Sequence, residues 1–195
     1  IMPSLVGSEM CIRDRCEPMT NAIRVVRADY ANPVHAAALV MLLDAYASDP
    51  MGGGEGLSDF AKANLVPSLA ARPHAFSVLA FASDDDSTPV GLVNCIEGFS
   101  TFKCLPLVNV HDVAVLPGYR GQRIGEQMLA LVEQIAAERG ACKMTLEVLS
   151  GNKGAEKLYQ RVGFAYYQLD PAMGQAGFMQ KLSLIHISEP TRLGM

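Results

Sequence analysis

At 195 residues, half of them hydrophobic, the chain has the length of one ordinary domain and enough apolar material to bury a core. Its net charge of −4 argues against a nucleic-acid binder, which needs a basic face, and no apolar run approaches the roughly 20 residues that span a bilayer. The five cysteines show no CxxC or Cys/His spacing, which argues against a disulfide scaffold and against any metal site, and a cytoplasmic protein is the default expectation.

The two ends differ from the rest. Residues 5–15 (LVGSEMCIRDR) and 182–192 (LSLIHISEPTR) are related through DNA: a sequence encoding the second, read on its opposite strand in another frame, encodes the first in full. That DNA resembles the transposon-end adapter of sequencing libraries, so residues 1–18 and 182–195 are read as adapter-derived and not native, with Met19 the expected start. Residues 19–181 then form the domain, with 16 acids against 13 bases and with Cys95, Cys104 and Cys142 expected as reduced thiols.

Within that domain, residues 22–27 (AIRVVR) are rich in β-branched side chains and predict a first strand. Asn32 followed by Pro33 starts a helix, which Leu39, Leu42, Leu43 and Tyr46 carry to about Ala47. The glycines of residues 49–56 (DPMGGGEG) end it in a loop, either a linker or a flap over a substrate. Ser58 caps a second helix to about Ala71, which Pro67 is expected to bend or split. Residues 75–82 and 89–98 read as a hairpin, and residues 99–106 as a connector to a strand at 107–115. A helix over 123–139 follows, with Ile124, Met128, Leu131 and Ile135 on one face and Gly140 as its stop. Residues 143–149 form another strand, Asn152 caps a short helix closed by Gly163, and strands at 164–169 and 176–181 finish the sheet. The order describes one α/β domain with a mixed sheet.

Residues 113–125 (VAVLPGYRGQRIG) organise this plan. A strand that hands over to a helix through a glycine-rich turn leaves backbone N–H groups converging on one spot, with the positive end of the helix dipole behind them. Such a spot binds phosphate. Gly121 and Gly125 permit close approach, while Arg120 and Arg123 supply charge. Neither a nucleoside-triphosphate loop nor a GxGxxG turn is present. The stretch instead resembles the acetyl-CoA signature of the GNAT family of N-acetyltransferases, roughly V-x-P-x-x-R-G-x-G-I-G, through Val115, Pro117, Arg120, Gly121, Ile124 and Gly125. Arg123 stands where the family usually has its middle glycine, which is harmless at negative φ and costly at positive φ. A second block, N-x-x-A-x-x-L-Y-x-x-x-G-F, is matched by Asn152, Ala155, Leu158, Tyr159, Gly163 and Phe164.

The resemblance implies a single-domain GNAT-like fold, with a mixed, mostly antiparallel central sheet flanked by helices. It implies acetyl-CoA as co-substrate, direct attack by a primary amine, and no acyl-enzyme. The backbone of Val113, Ala114 and Val115 would hold the pantetheine arm, with one N–H facing the thioester oxygen. Arg120, Gly121, Gln122, Arg123, Ile124 and Gly125 would hold the diphosphate. Asn152 would be a helix cap, alone or with a further bond to the arm. Tyr159 matches the family's general acid, a phenol that stays protonated at neutral pH, the other reading of the Leu158–Tyr159 pair being core packing.

The base is open between His111 and Asp112. Strict alternation puts the two on opposite faces, unless a bulge turns both inward. Histidine suits removal of an ammonium proton, and Asp112 could hold a cationic amine or orient His111. Glu97 and Glu147 at strand ends are read as facing solvent if they are not part of the site, and His35 and His74 as surface or cap residues. The expected acceptor is a small cationic amine such as a polyamine, an aminoglycoside or an amino-acid derivative, with no nucleic-acid or membrane partner and a homodimer left open. The competing readings are a peptide or protein acetyltransferase and an acyl-CoA-binding module without chemistry.

Overall fold

A strand whose side chains are all inside must be covered on both faces. β2 (Ala75–Phe81) is such a strand, buried along its whole length. The computed structural model describes residues 23–83 and 86–167, together with Ala172 and Met179. β2 lies second in a five-stranded sheet of order β1-β2-β3-β4-β5. β1 (Arg24–Arg27), β2, β3 (Pro89–Ser100) and β4 (Leu105–Val115) pair antiparallel, and β5 (Met144–Leu146) adds parallel to β4. This is the mixed, mostly antiparallel sheet that the sequence predicts.

Alternate side chains of β2 feed two cores. On one face α1 (Pro33–Ser48) and α2 (Asp59–Ala70) bring Leu39, Leu42 and Val66 onto Leu79, Phe81, Leu92 and Ala114. On the other, α3 (Ile124–Glu138) sets Ile124, Met128, Leu129 and Val132 against Phe76, Val78, Ala80 and Val110. α4 (Lys153–Arg161) closes that second core with Tyr159 and the half-buried Leu158. The helices begin where their caps demand: Asn32, Ser58 and Asn152 accept hydrogen bonds from the N–H groups of Val34, Ala61 and Ala155 at 2.9, 3.2 and 3.1 Å. No described helix is long and apolar enough to cross a membrane.

Several boundaries differ from expectation. Pro67 does not split α2: it is the fourth residue from the end, so only the last turn lies beyond the helical bond that its missing N–H removes. Residues 99–106 are not a loose connector: β3 continues to Ser100 and β4 starts at Leu105, with a tight turn between them in which Cys104 has φ +51°. Pro106 is tolerated in the ladder because its carbonyl accepts from Cys142 N–H at 2.8 Å on the β5 side. The N–H that proline lacks points the same way, so pairing with β3 loses nothing. Residues 164–167 are not strand; of the strand expected at 176–181 only Met179, which is not in a strand, is among the described residues, and both presumed adapter segments lie outside them. His35 is no surface residue. It is 8% exposed, accepts from Asp29 N–H through Nδ1 at 3.1 Å and therefore donates from Nε2 to Asp86. Glu97, too, is engaged, by Arg139 at 2.9 Å, while Glu147 and His74 are exposed.

Cys95 on β3 is 1% exposed, and burial, reinforced by the charge of Asp112, pushes its thiol from 9.0 up to about 12. A group whose folded pKa is raised contributes full stability below its unfolded pKa and loses it as pH climbs toward the folded value. The fold is therefore expected to weaken between pH 9 and 12, with Cys95 accounting for about 2 kcal/mol at pH 10.5. Thermal melts of the parent and of Cys95→Ala at pH 8 and pH 10.5 measure this: the variant should lose less on going alkaline.

Candidate active site

The site forms where β4 and β5 part. They pair at Val108 with Met144, Asn109 with Thr145 and Val110 with Leu146, and Asn109 Nδ2 donates to Thr145 Oγ1 at 3.2 Å. There β5 ends, while β4 runs on to Val115 beside β3. The parting coincides with a β-bulge: Asp112 pairs with Asn94 but Val110 pairs with Cys95, so His111 is the extra residue. The side-chain pattern shows the effect. Val108, Val110 and Val113 all enter the core under α3, so two outward positions, His111 and Asp112, fall together on the α1 face. This is the arrangement in which both candidate bases share one side of the sheet.

The backbone beyond the bulge has a free edge. Leu116 N–H donates to the Val90 carbonyl at 2.9 Å, so by alternation Ala114 also faces β3, and Val113 and Val115 turn their N–H and C=O toward the opening. Of the three residues expected to hold an extended arm, Ala114 thus keeps its backbone groups in the ladder. The turn that follows, Pro117–Tyr119, leads to Arg120, whose Nε donates to the Val115 carbonyl and whose Nη2 reaches Asp49, both at 3.0 Å. Asp49 is the hub of the glycine-rich loop. Its carbonyl accepts from Gly52 and Gly54, and its carboxyl accepts from Met51 N–H, a bond that, with Arg120, holds it below the usual carboxylate range.

α3 starts without a side-chain cap. Arg123 occupies the cap position at φ +60°, left-handed, with Gly121 at φ +81° just before it and the exposed Gln122 between. The N–H groups of Ile124, Gly125 and Glu126 consequently have no helical acceptor and point at the space in front of the helix. The acid in that first turn, Glu126, is paired with Arg161 at 2.9 Å. Gly125 sits against α4: a Cβ there would lie 2.8 Å from Leu158 Cδ2. This contact brings α4, and Tyr159 with it, beside the cradle.

Tyr159 is held by the end of its own helix. Phe164 N–H donates to the Tyr159 carbonyl at 2.9 Å and Gly163 N–H to that of Gln160 at 3.2 Å, with Gly163 at φ +93°. That double bond pattern is a Schellman stop, whose usual apolar contact is made here by the two rings, edge to face at 6.0 Å. Burial, with a smaller push from the Tyr46 phenol, raises Tyr159 to about 12. Tyr46, on α1, is raised in turn by burial and by the charges of Asp112 and Asp49.

Residues 40–164 match the acetyltransferase (GNAT) family. The chain belongs to this family. Streptothricin acetyltransferase of Streptomyces lavendulae is 35% identical over 83 residues, 43% of this chain and 44% of that protein. Thialysine N-epsilon-acetyltransferase of Bos taurus is 38% identical over 56 residues, 29% and 33% of the two. The chain thus spans less than half the length of these curated relatives. A solved structure described as a probable acetyltransferase superposes with a TM-score of 0.69 at 22% identity, over 82% of this chain and 98% of that one. Likeness at that identity speaks to the fold alone.

GNAT proteins use acetyl-CoA, and the residues present fit it. The open edge at Val113 and Val115 suits an amide-bearing arm, the bare first turn of α3 suits a diphosphate, and Asn152, whose Oδ1 is used in capping, keeps an amide N–H₂ to offer. The sequence reading missed Tyr46, hidden as one apolar-stripe position of α1. It also missed Ser77 and Asn94, whose signal was a polar residue in the middle of two otherwise apolar runs, AFSVLAF and PVGLVNCI.

Arg123 carries the conformational cost that the family's glycine avoids. Replacing it with glycine should stabilise the fold by about 1 kcal/mol in denaturant titration. Arg123→Ala keeps the left-handed strain while removing the charge, so it should leave stability near the parent's and weaken coenzyme A binding, which calorimetry separates.

Proposed function

We propose that the chain transfers an acetyl group from acetyl-CoA to the primary amine of a small cationic acceptor, by direct attack. The observation that carries this is the bulge at His111, which gathers an imidazole and a carboxylate on the α1 face at the point where the sheet opens, while the phenol of Tyr159 is buried in the core on the α3 side. The activity is assigned to residues 19–181 and to an enzyme of the cytoplasm, with the flanking segments given no part.

The amine nitrogen attacks the thioester carbonyl, and the oxygen takes up negative charge. A backbone N–H at the open edge, from Val113 or Val115, stabilises that oxyanion without having to reorganise. Asp112 holds the ammonium form of the acceptor and His111 removes its proton, directly or through water. The carbon–sulfur bond then breaks and the thiolate leaves. Tyr159, at about 12, keeps its proton throughout neutral pH. Full transfer to a thiolate that is protonated near 8.5 is uphill by about 5 kcal/mol, so the phenol acts first as a hydrogen-bond donor to the departing sulfur; the second proton, shed by the attacking nitrogen as the adduct collapses to amide, ends on the thiol and leaves Tyr159 protonated. Arg120, Gly121, Gln122, Arg123, Ile124 and Gly125 bind the diphosphate, and Asn152 the arm.

The names of the two curated relatives, both acting on small amines, support the acceptor class. A panel of polyamines, aminoglycosides and amino-acid derivatives, assayed with acetyl-CoA and a free-thiol reagent, should show turnover. Silence there with turnover of peptides moves the acceptor to protein N-termini or lysines. Tyr159→Phe should lower kcat about a hundredfold while coenzyme A affinity stays within about twofold. A coenzyme A-binding module without chemistry would show tight binding and no turnover in either form.

A further inference from the structure

One row of side chains on the α1 face of the sheet is polar where its neighbour is wholly apolar. Leu79, Leu92 and Ala114 are cross-strand partners on β2, β3 and β4 and pack in the core beneath α1. The next row along the same strands is Ser77, Asn94 and Asp112. Ser77 is completely buried and Asn94 is 5% exposed. Burying polar groups of this kind is costly unless each finds a partner, and an apolar row would serve the fold as well.

Each does find a partner, and in one direction. Asn94 Nδ2 donates to Asp112 Oδ2 at 3.0 Å, and Ser77 Oγ donates to Asn94 Oδ1 at 2.6 Å. Tyr30, on the segment between β1 and α1, has its hydroxyl 2.9 Å from Ser77 Oγ. An ionised carboxylate only accepts, so Asn94 must turn its N–H₂ toward Asp112 and its carbonyl toward Ser77. The one hydroxyl hydrogen of Ser77 is then committed to Asn94, which leaves Tyr30 as donor to Ser77. Every dipole in the chain points at the Asp112 charge, the arrangement in which successive hydrogen bonds strengthen one another. The last bond also spans the register shift, since Asn94 is the residue at which pairing jumps from Asp112 to Val110.

We propose that Tyr30, Ser77 and Asn94 are positioning residues for Asp112. The chain grips one carboxylate oxygen at the bulge and so fixes the direction in which the other meets the acceptor amine. Ser77 and Asn94 sit in the sheet behind the site, and Tyr30 stands two strands away, so none of the three has to touch the substrate. The inference rests on the reading of Asp112 as the group that handles the amine, and the test is built to separate the two.

Tyr30→Phe, Ser77→Ala and Asp112→Asn are made singly and as the two doubles with Asp112→Asn, in the full chain. Each is assayed with acetyl-CoA and the amine of highest turnover, and a coenzyme A-induced rise in melting temperature confirms folding. Tyr30→Phe and Ser77→Ala should each lower kcat/KM for the amine about tenfold and leave KM for acetyl-CoA within about twofold. In the Asp112→Asn background the same changes should have no further effect, a coupling that a merely structural role would not produce. Losses that add in both backgrounds, or no loss from either single change while Asp112→Asn is impaired, overturn the relay alone. An Asp112→Asn protein as active as the parent, or no amine turned over by the parent, removes the reading of Asp112 and the relay with it.

Discussion

The structure depends on a pairing that is given up. β4 and β5 share three cross-strand pairs and then separate, and the separation leaves two residues of a central strand with backbone groups directed at open space. Sheets do not leave such groups unmatched without cause, because each unpaired N–H or C=O forfeits a hydrogen bond. Every part of the site answers to that gap: Arg120 covers one of its carbonyls, α3 begins at its far end, and α4 lies beside it with Tyr159 turned inward. The bulge at His111 stands at the same point, where one extra residue both bends β4 from β5 and brings two polar side chains to one face.

Charge binds the two halves of the site together. Arg120 belongs to the phosphate-binding turn, yet its guanidinium joins the Val115 carbonyl to Asp49, the hub of the loop that follows α1. The glycine-rich loop after α1 is therefore anchored to the turn that precedes α3. Burial raises the Tyr46 phenol, and the charges of Asp112 and Asp49 add to the push. The two carboxylates whose charges reach Tyr46 are each tied to a partner, Asp49 to Arg120 and Asp112 to Asn94, so their negative charge is fixed in place.

Much of this was legible from residue pattern, and the failures have physical reasons. Helix starts were readable because Asn32, Ser58 and Asn152 are caps whose chemistry is local. The handover at residues 113–125 was readable because glycine, proline and arginine spacing marks a strand-to-helix turn. Family membership followed from two blocks standing in order. The conformation of Arg123 was not decidable, since a side chain does not announce its own φ, and it proved left-handed. Residues 99–106 were read as a connector although Pro106 lies in β4, because whether a proline fits a ladder depends on which edge it faces, a property of the sheet and not of the residue. The bulge was named only as a condition, and Ser77 and Asn94 passed unnoticed, because register is a long-range property set by strands that meet only in the folded chain.

Tyr159 is both the candidate acid and the third residue from the end of a helix stop. Its carbonyl, its ring and its distance from Gly163 are all used in ending α4. An insertion or deletion of one residue between Asn152 and Tyr159 would turn the phenol by about 100° about the helix axis relative to the cap, and one between Tyr159 and Phe164 would break the helix stop and part the two rings. Length changes in this stretch are thus forbidden in a way that substitutions are not. Descendants of this sequence can lengthen the loop before Asn152 or the segment after Phe164, but α4 itself must be inherited at its present count of residues.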